Sequence, residues 1–445
     1  MPDLLSLLTV GSSAMIAQNT SIALATNNVA NVNTEGYSRE RTDSSGNAER
    51  ISSDLLNRQV ATAAGSLAMS QAFADALAEL EAGVSAGGAT IDEQIGTLFS
   101  KIGAASAAPT DSASRDAVMA AARALVSGIQ RRSADVAQAR KDADARIREH
   151  VVNATSLAKQ LATANTAVAK SGRPPSPASL DHRDQVAKQL GQVVGGQARI
   201  DHDGQMRFVL EGGAVLVDGN RSAALAATPD AATGMARIEV VDGAVRRDVT
   251  SAIGGGSMGG ELKFRDRTVP QVSGQLDQVA FDITTSVNNV HTANAGLDGV
   301  TGRPLFVPQT QVAGAASTIA IDPVINGDSR LLALAAPGAG PGDNTGALAL
   351  FGLGTQRVAS GGTRTLGDAA LDVVSTVALA GSDAKGEATR DALVSDHLAG
   401  LRDSLSGVDT QEELTNLARF EHASTAMAKF VTTIDGMLGS LIDSL

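Results

Sequence analysis

The sequence predicts a mainly α protein with an inserted small β domain that faces solvent. Its N- and C-terminal helices pair as a coiled coil beside a long helical, rod-like bundle. Three observations lead there. Both ends of the chain carry apolar residues at alternating steps of three and four, the period of a narrow coiled-coil stripe. Long Ala-rich stretches with spaced aliphatics fill most of the middle. Residues 193–250 switch to apolar alternation between Asp-Gly and Gly-Gly turns, the pattern of short hairpin strands.

Composition supports helices lying side by side. Aromatic residues make up 2% of 445, with no Trp, one Tyr and nine Phe, so the large rings that dominate most cores are scarce. Alanine and mid-sized aliphatics must do the packing, which suits close helix–helix approach. A formal net charge of -12 argues against nucleic acid as a partner, because a phosphate backbone needs clustered Lys and Arg. No apolar run reaches the roughly 20 residues of a membrane helix, so no membrane partner is expected. Zero cysteines exclude disulfides, thiolate chemistry and Cys-ligated metal. The first 38 residues contain no Lys or Arg, so the apolar start lacks the basic region of a cleaved secretory signal.

The N-terminal seam runs Leu4, Leu8, Gly11, Met15, Gln18, Ile22, Ala25, Val29 and Val32. An Asn-rich turn containing Asn28, Asn31, Asn33, Gly36 and Tyr37 ends it, since Asn tolerates left-handed backbone and Gly36 permits positive φ. A short strand pair follows over Thr42 to Arg50. Helices are expected at 53–84, 91–103 and 113–170, the last stopped by Ser171-Gly172-Arg173-Pro174-Pro175-Ser176-Pro177, and a short one at Leu180 to Leu190. Strands are expected at Gln205 to Leu210, Ala214 to Val217 and Ala236 to Val241. The Gly-rich stretch Gly254 to Gly260 reads as a flexible link to a helix over Asp266 to Ala293. Residues 294–362 read as irregular, with a strand-like piece at Thr318 to Ile321, before helix resumes from Leu366 to Leu405. After Gly407, Asp409 or Thr410 with Glu412 and Glu413 makes an acidic helix start. The final seam is Leu417, Phe420, Ser424, Met427, Val431, Ile434, Leu438, Leu441 and Leu445.

These elements group into an axial pair of terminal helices (1–35 and 410–445) and a helical rod (36–192, 262–296 and 363–409). A small β domain (193–261) and an irregular segment (297–362) complete the set. An isolated helix with a bare apolar stripe is marginal in water. Both ends are therefore expected to be mobile in the monomer and to order when subunits stack.

The segment Asn28-Val29-Ala30-Asn31-Val32-Asn33-Thr34-Glu35-Gly36-Tyr37-Ser38-Arg39 resembles the N-terminal signature of flagellar rod, hook and hook-associated proteins. Later stretches resemble the family of the first flagellar hook-associated protein in particular. They are Pro109-Thr110-Asp111-Ser112-Ala113-Ser114-Arg115-Asp116, Leu180-Asp181-His182-Arg183-Asp184-Gln185, Gly259-Gly260-Glu261-Leu262-Lys263-Phe264-Arg265-Asp266, Ser406-Gly407-Val408-Asp409 with Glu412-Glu413, and Asn416-Leu417-Ala418-Arg419-Phe420. Their order along the chain matches the family's. The resemblance implies a ring of copies joining hook to filament, located outside the cell on the flagellum after export through the flagellar type III channel. It implies as partners other copies of the chain, the hook protein, the second hook-associated protein on the filament side, and an export chaperone covering the C-terminal seam. Leu8, Met15, Ile22, Val29, Leu417, Phe420, Met427, Val431, Ile434, Leu438 and Leu441 are the expected assembly and chaperone contacts. The chain departs from the family where 297–362 is too short for the large outer domain of longer members, and where Glu421-His422 replaces Gln-Gln. Another flagellar axial protein, such as a hook protein or flagellin, is the alternative.

No catalytic or cofactor site is expected. Gly255-Gly256-Ser257-Met258-Gly259 matches the nucleophile elbow of serine hydrolases, but within a glycine run where chance matches are frequent. A filament-borne hydrolase is thus the lesser alternative. The six histidines, His150, His182, His202, His291, His397 and His422, form no metal pair. Asp201-His202-Asp203-Gly204 lacks the remaining ligands of a calcium loop and reads as a hairpin turn. Gly338 to Gly346 lacks the Lys of a phosphate loop.

Overall fold

A computed structural model describes residues 4–85 and 88–443. The chain divides into two compact units. One comprises Met1–Ser70, Arg148–Gly260 and Ala388–Leu445; the other comprises Gln71–Ile147 and Glu261–Glu387.

In the first unit, α1 (Leu4–Ala30) packs along α12 (Thr410–Ile442). Gly11 lies against Phe430 and Val431, the Asn19 side chain meets Ser424, and Asn28 reaches Glu413, so the two helices run antiparallel. The one polar position of the C-terminal seam, Ser424, is thereby matched: its hydroxyl donates to Asn19 Oδ1 at 3.1 Å. Asp409 caps α12 by accepting from the Gln411 and Glu412 amides, satisfying donors that a helix start leaves open. Leu445 falls outside the described residues.

After α1 come the antiparallel strands β1 (Glu40–Thr42) and β2 (Ala48–Arg50), with Glu40 opposite Arg50. The helices α2 (Asp54–Ser85), α3 (Ile91–Ala107), α4 (Ser112–Lys170) and α5 (Pro177–Val194) follow. Two antiparallel sheets then form from sequential hairpins. The first has β3 (Gln197–Ile200), β4 (Met206–Val209), β5 (Val215–Asp218) and β6 (Arg221–Ser222); the second has β7 (Ala224–Pro229), β8 (Ala236–Asp242) and β9 (Val245–Asp248). Alternation is explicit in β4, where Met206 and Phe208 are buried and Arg207 is exposed, as a half-buried strand requires. Asp201 builds the β3–β4 turn by accepting from the Asp203 and Gln205 amides, so this stretch is a hairpin turn. The second half of α4 holds both sheets. Asn165 donates to the Met206 and Gly219 carbonyls and accepts from the Met206 amide, and Thr155 bonds the Leu225 backbone.

The expected flexible link is instead ordered. Gly256–Lys263 forms α6, Met258 is fully buried, and a Cβ on Gly195 or Gly256 would collide with backbone of the facing segment. The glycines there allow two backbones to touch; they do not loosen the chain. Likewise Asn31 and Asn33 have ordinary backbone, and only Gly36 of the Asn-rich turn takes positive φ, at 83°.

The second unit packs one apolar core. Leu77, Leu98, Ile102, Leu125 and Ile129 from α2, α3 and α4 meet Phe264 and, from α7 (Val269–Ala293), Val272, Leu276 and Ile283. Residues 297–362 are irregular over most of their length yet contribute to this core: Leu305, Phe306, Ile319, Leu332, Leu334 and Leu350 are all fully buried in it. Of the strand-like piece expected at Thr318 to Ile321, Thr318 closes α8 (Ala315–Thr318), and Ile321 forms an antiparallel bridge with Phe306, flanked by hydrogen bonds from the Val307 amide to the Ala320 carbonyl and from the Asp322 amide to the Leu305 carbonyl. Two more short helices, α9 (Pro323–Gly327) and α10 (Thr345–Gly352), precede α11 (Leu366–Ser406). Local composition read as loop because the burial is supplied by distant residues. Polar side chains pin the segment: Asp277 accepts from the Gly314 and Ala316 amides, and fully buried His291 bridges the Arg303 carbonyl through Nδ1 and the Ala333 amide through Nε2.

The Pro109 to Asp116 motif and the Glu261 to Asp266 part of a second belong to this unit. Arg115 is 1% exposed and donates to the Pro109 carbonyl at 2.6 Å and the Leu332 carbonyl at 2.8 Å, tying the start of α4 to the core segment. In the Gly-Gly-Glu-Leu-Lys-Phe-Arg-Asp stretch, Glu261 pairs with Arg146 at 2.7 Å and Arg265 with Asp144 at 2.6 Å. These reciprocal ion pairs set α6 and the following turn against α4, with Lys263 over the Phe73 ring at 4.0 Å.

Candidate functional site

The Asn-rich turn is the centre of a buried polar junction that binds three separate sequence motifs. Asn28, on the last turn of α1, is 1% exposed. Its Nδ2 donates to the Glu40 carbonyl at 2.9 Å and to Glu413 Oε2 at 3.1 Å. Its Oδ1 accepts from the Glu40 amide and the Tyr37 hydroxyl, both at 2.9 Å. A carboxamide has two donors and two acceptor lone pairs, and all four are used. No other side chain of this size offers that set, which is a stronger reason for Asn here than helix termination.

Around Asn28 the charges interlock. Ser38 donates its amide and its hydroxyl to Asp181, each at 2.8 Å. Arg50 Nη1 bridges Asp181 and Asp184. Arg39 bonds Glu413 at 2.6 Å through Nε and Glu412 at 2.7 Å through Nη2; the Glu412 hydrogen bond holds the guanidinium above its ordinary range. Arg402 donates to the Gly36 and Tyr37 carbonyls, and the Arg39 amide donates to the Ser406 carbonyl. Burial pushes the Tyr37 phenol up, helped by Glu40, Asp181 and Glu413. Burial also raises Glu40, with Asp181 adding to it. Glu35 moves the other way, lowered by its hydrogen bond to Lys188. The adjoining cleft, about 800 Å³, is lined by Asn31 to Arg39, the α5 motif and the start of α12. Asn31 and Asn33 line it without entering the network; Asn31 closes on its own helix through the Asn27 carbonyl.

The sequence-derived contact residues fall on the α1–α12 pair. Leu8, Met15, Ile22 and Val29 are half-buried on α1; Leu417, Phe420, Met427, Val431 and Leu438 are half-buried on α12, and Ile434 is buried. Leu441 is exposed. A second set, which the seam analysis passed over, is exposed: Val10 and Ile16 on α1, and Leu414, Phe430 and Met437 on α12, of which Phe430 also borders Gly11. The signal for it was present, since Phe430 and Met437 are spaced by seven, but each lies one position before a main-seam residue, Val431 and Leu438. Glu413 was legible as a helix-start acid and as part of the C-terminal motif; its 3% side-chain exposure beside Arg39 is a tertiary property.

The Ser257 elbow sits at the start of α6 with its hydroxyl 3.5 Å from His150 Nδ1, at the outer limit of a hydrogen bond. His291 is spent on backbone bonds. Among the described residues no group of acids and histidines is placed to hold a metal ion, and no helix is long and apolar enough to cross a membrane.

Comparison with known proteins agrees with this geometry. Residues 77–306 match the family described as flagellar hook-associated protein FlgK helical domain, and residues 8–37 match the family described as flagella basal body rod protein. Flagellar hook-associated protein 1 of Escherichia coli K12 is 22% identical, with 98% of this chain and 99% of that protein covered. The alignment runs over 543 positions, longer than this chain. The Bacillus subtilis 168 protein of the same name is 24% identical, covering 97% and 96%. The solved hook junction protein FlgK of Burkholderia pseudomallei shares the fold, with a TM-score of 0.70 and 16% identity over 80% of this chain and all of that one. With more than half its length matching the helical-domain family and its terminal motifs meeting in one junction, the chain belongs to the flagellar hook-associated protein FlgK family.

Proposed function

We propose that this protein is a structural subunit of the bacterial flagellum that forms the hook–filament junction. The observation that carries the reading is the junction around Asn28, which clamps both chain ends into one antiparallel helix pair that still leaves large apolar side chains exposed. Val10, Ile16, Phe430, Met437 and Leu441 are between 40% and 65% exposed, and neighbouring copies in a ring would cover them. The hook protein on one side and the second hook-associated protein on the other are the axial partners this role requires. The same α12 surface suits an export chaperone before assembly, and the reading places the chain outside the cell after flagellar type III export. No catalysis belongs to the role, and the alternative of a hook protein or flagellin is disfavoured by the helical-domain match.

Substituting Asp at both Val431 and Leu438 tests it. Each carboxylate would sit in the α1–α12 seam, so the double variant should fail to enter hook–filament junctions while the second unit keeps native hydrogen-exchange protection. A double variant that restores motility to a strain lacking the protein would refute the proposal.

A further inference from the structure

The chain contains one Asn-Gly pair, Asn326-Gly327, and it lies on the exposed end of α9. This dipeptide is the most labile in proteins toward deamidation, because glycine has no side chain to shield its amide nitrogen or hinder backbone rotation. The Gly327 nitrogen attacks the Asn326 Cγ, the bond from Cγ to the amide nitrogen breaks, and ammonia leaves with a proton taken from the attacking nitrogen. Water then opens the cyclic imide to aspartate or isoaspartate. Packing does not demand glycine here: a Cβ on Gly327 would meet nothing within 4 Å, and its φ is not left-handed.

Two features restrain the rotations that attack requires. The Asn326 amide donates to the Asp322 carbonyl at 2.8 Å, closing a helical turn that holds the backbone at Asn326. Arg123, on α4, fastens the residue from outside: Nε donates to Asn326 Oδ1 at 2.7 Å and Nη2 to the Asn326 carbonyl at 3.0 Å. One guanidinium thus bridges the side chain and main chain of a single residue. Attack requires rotation about ψ of Asn326, which swings that carbonyl off the guanidinium and breaks the bridge. A neutral amide held by a cation also marks the product, since aspartate at the same place would convert the contact into a charge-assisted pair.

We propose that Asn326-Gly327 is a deamidation site kept latent by the fold, with Arg123 as the positioning residue that keeps the amide out of reach of the Gly327 nitrogen. Isoaspartate would insert a methylene into the α9 backbone and detach it from α4.

The test incubates the full chain in mildly alkaline buffer and follows the peptide containing Asn326 by mass spectrometry and isoaspartate assay. Wild type, Arg123→Ala and the wild-type chain unfolded in urea are compared, with hydrogen exchange of the Asp328 and Leu332 amides, which donate to the Ile325 and Ser329 carbonyls, confirming that the variant is folded. Loss of a held geometry is worth about tenfold or more in rate, so folded wild type should react at least about tenfold more slowly than the urea-unfolded chain, with folded Arg123→Ala several-fold faster than wild type. Separately, Asn326→Asp should raise the melting temperature in the wild-type background and not in Arg123→Ala. The proposal is overturned if folded wild type deamidates as fast as the unfolded chain, or if folded Arg123→Ala reacts at the wild-type rate. Should Arg123→Ala lose local protection, the Asn326→Asp comparison decides alone: equal melting temperatures for Asn326→Asp and wild type would overturn the Arg123 contact.

Discussion

Replacing Asn28 by Ala removes the hub of the junction without touching the apolar seam. The Glu40 amide and carbonyl, the Tyr37 hydroxyl and one oxygen of Glu413 each lose a partner. An orphaned buried polar group costs about 1–3 kcal/mol, more when charged. Glu413 keeps Arg39 and the neighbouring cleft reaches Tyr37, so water offsets part of the loss. The expected destabilisation is about 3–5 kcal/mol, local to the junction. Because two units share the chain, a single unfolding curve would not isolate this. Native-state hydrogen exchange does, with three reporters: the amides of Ser38, Arg39 and Glu40, which donate to Asp181, Ser406 and Asn28. Their opening free energies should fall together, while amides of α3 and α7 stay unchanged. Asn28→Asp should be at least as damaging, because it loses both donors and sets a second carboxylate against Glu413. If Asn28→Ala lowers the opening free energy of Arg39 by less than about 1 kcal/mol, the typical worth of a single hydrogen bond, the junction is not the clamp described above.

Gly11→Leu should pry the terminal helices apart, because even a Cβ at Gly11 would stand 3.0 Å from Phe430 and Val431; a cost of about 1–3 kcal/mol for overpacking would appear as faster exchange along α1 and α12, and unchanged exchange would mean the pair is not packed as described. His291 predicts a pH dependence in the second unit. Burial lowers its pKa from the ordinary histidine value, opposed by its bond to the Arg303 carbonyl and by Asp322. The unfolded chain therefore binds a proton that the folded one refuses, and stability is full above about pH 6.5 and declines as pH falls below it. Denaturation of His291→Gln should show a flatter profile over that window, and an identical slope would refute the assignment.

Much of the architecture was legible locally. The seams at Leu417 to Leu441 and Leu4 to Val29 have a periodicity that depends only on helix geometry, and the stop at Pro174-Pro175 follows from a missing amide and a ring clash. Asp-Gly and Gly-Gly turns between alternating segments announced the small sheets for the same local reason. Motifs such as Asn28 to Arg39, Asp181 to Gln185 and Glu412-Glu413 were visible as patterns, but their joint purpose was not. They lie up to 385 residues apart, and nothing in local spacing says that Asn28 will meet Glu413.

Where local reading failed, burial from elsewhere was the cause. Gly254 to Gly260 looks flexible in isolation, yet it is ordered and enters α6 at Gly256, because glycine lets its backbone lie against Gly195 and Val193. Residues 297–362 keep the mostly irregular backbone their composition suggests, but their burial was not legible: Leu305, Phe306 and Ile319 belong to one core with residues of α3, α4 and α7. The sequence by itself determined what depends on neighbours three or four residues away: helix faces, turns, stops and the absence of thiol chemistry. Tertiary structure decided which polar groups could afford to be buried, because Asn28, Glu413 and Arg115 are stable in the interior only when distant parts of the chain supply their hydrogen bonds.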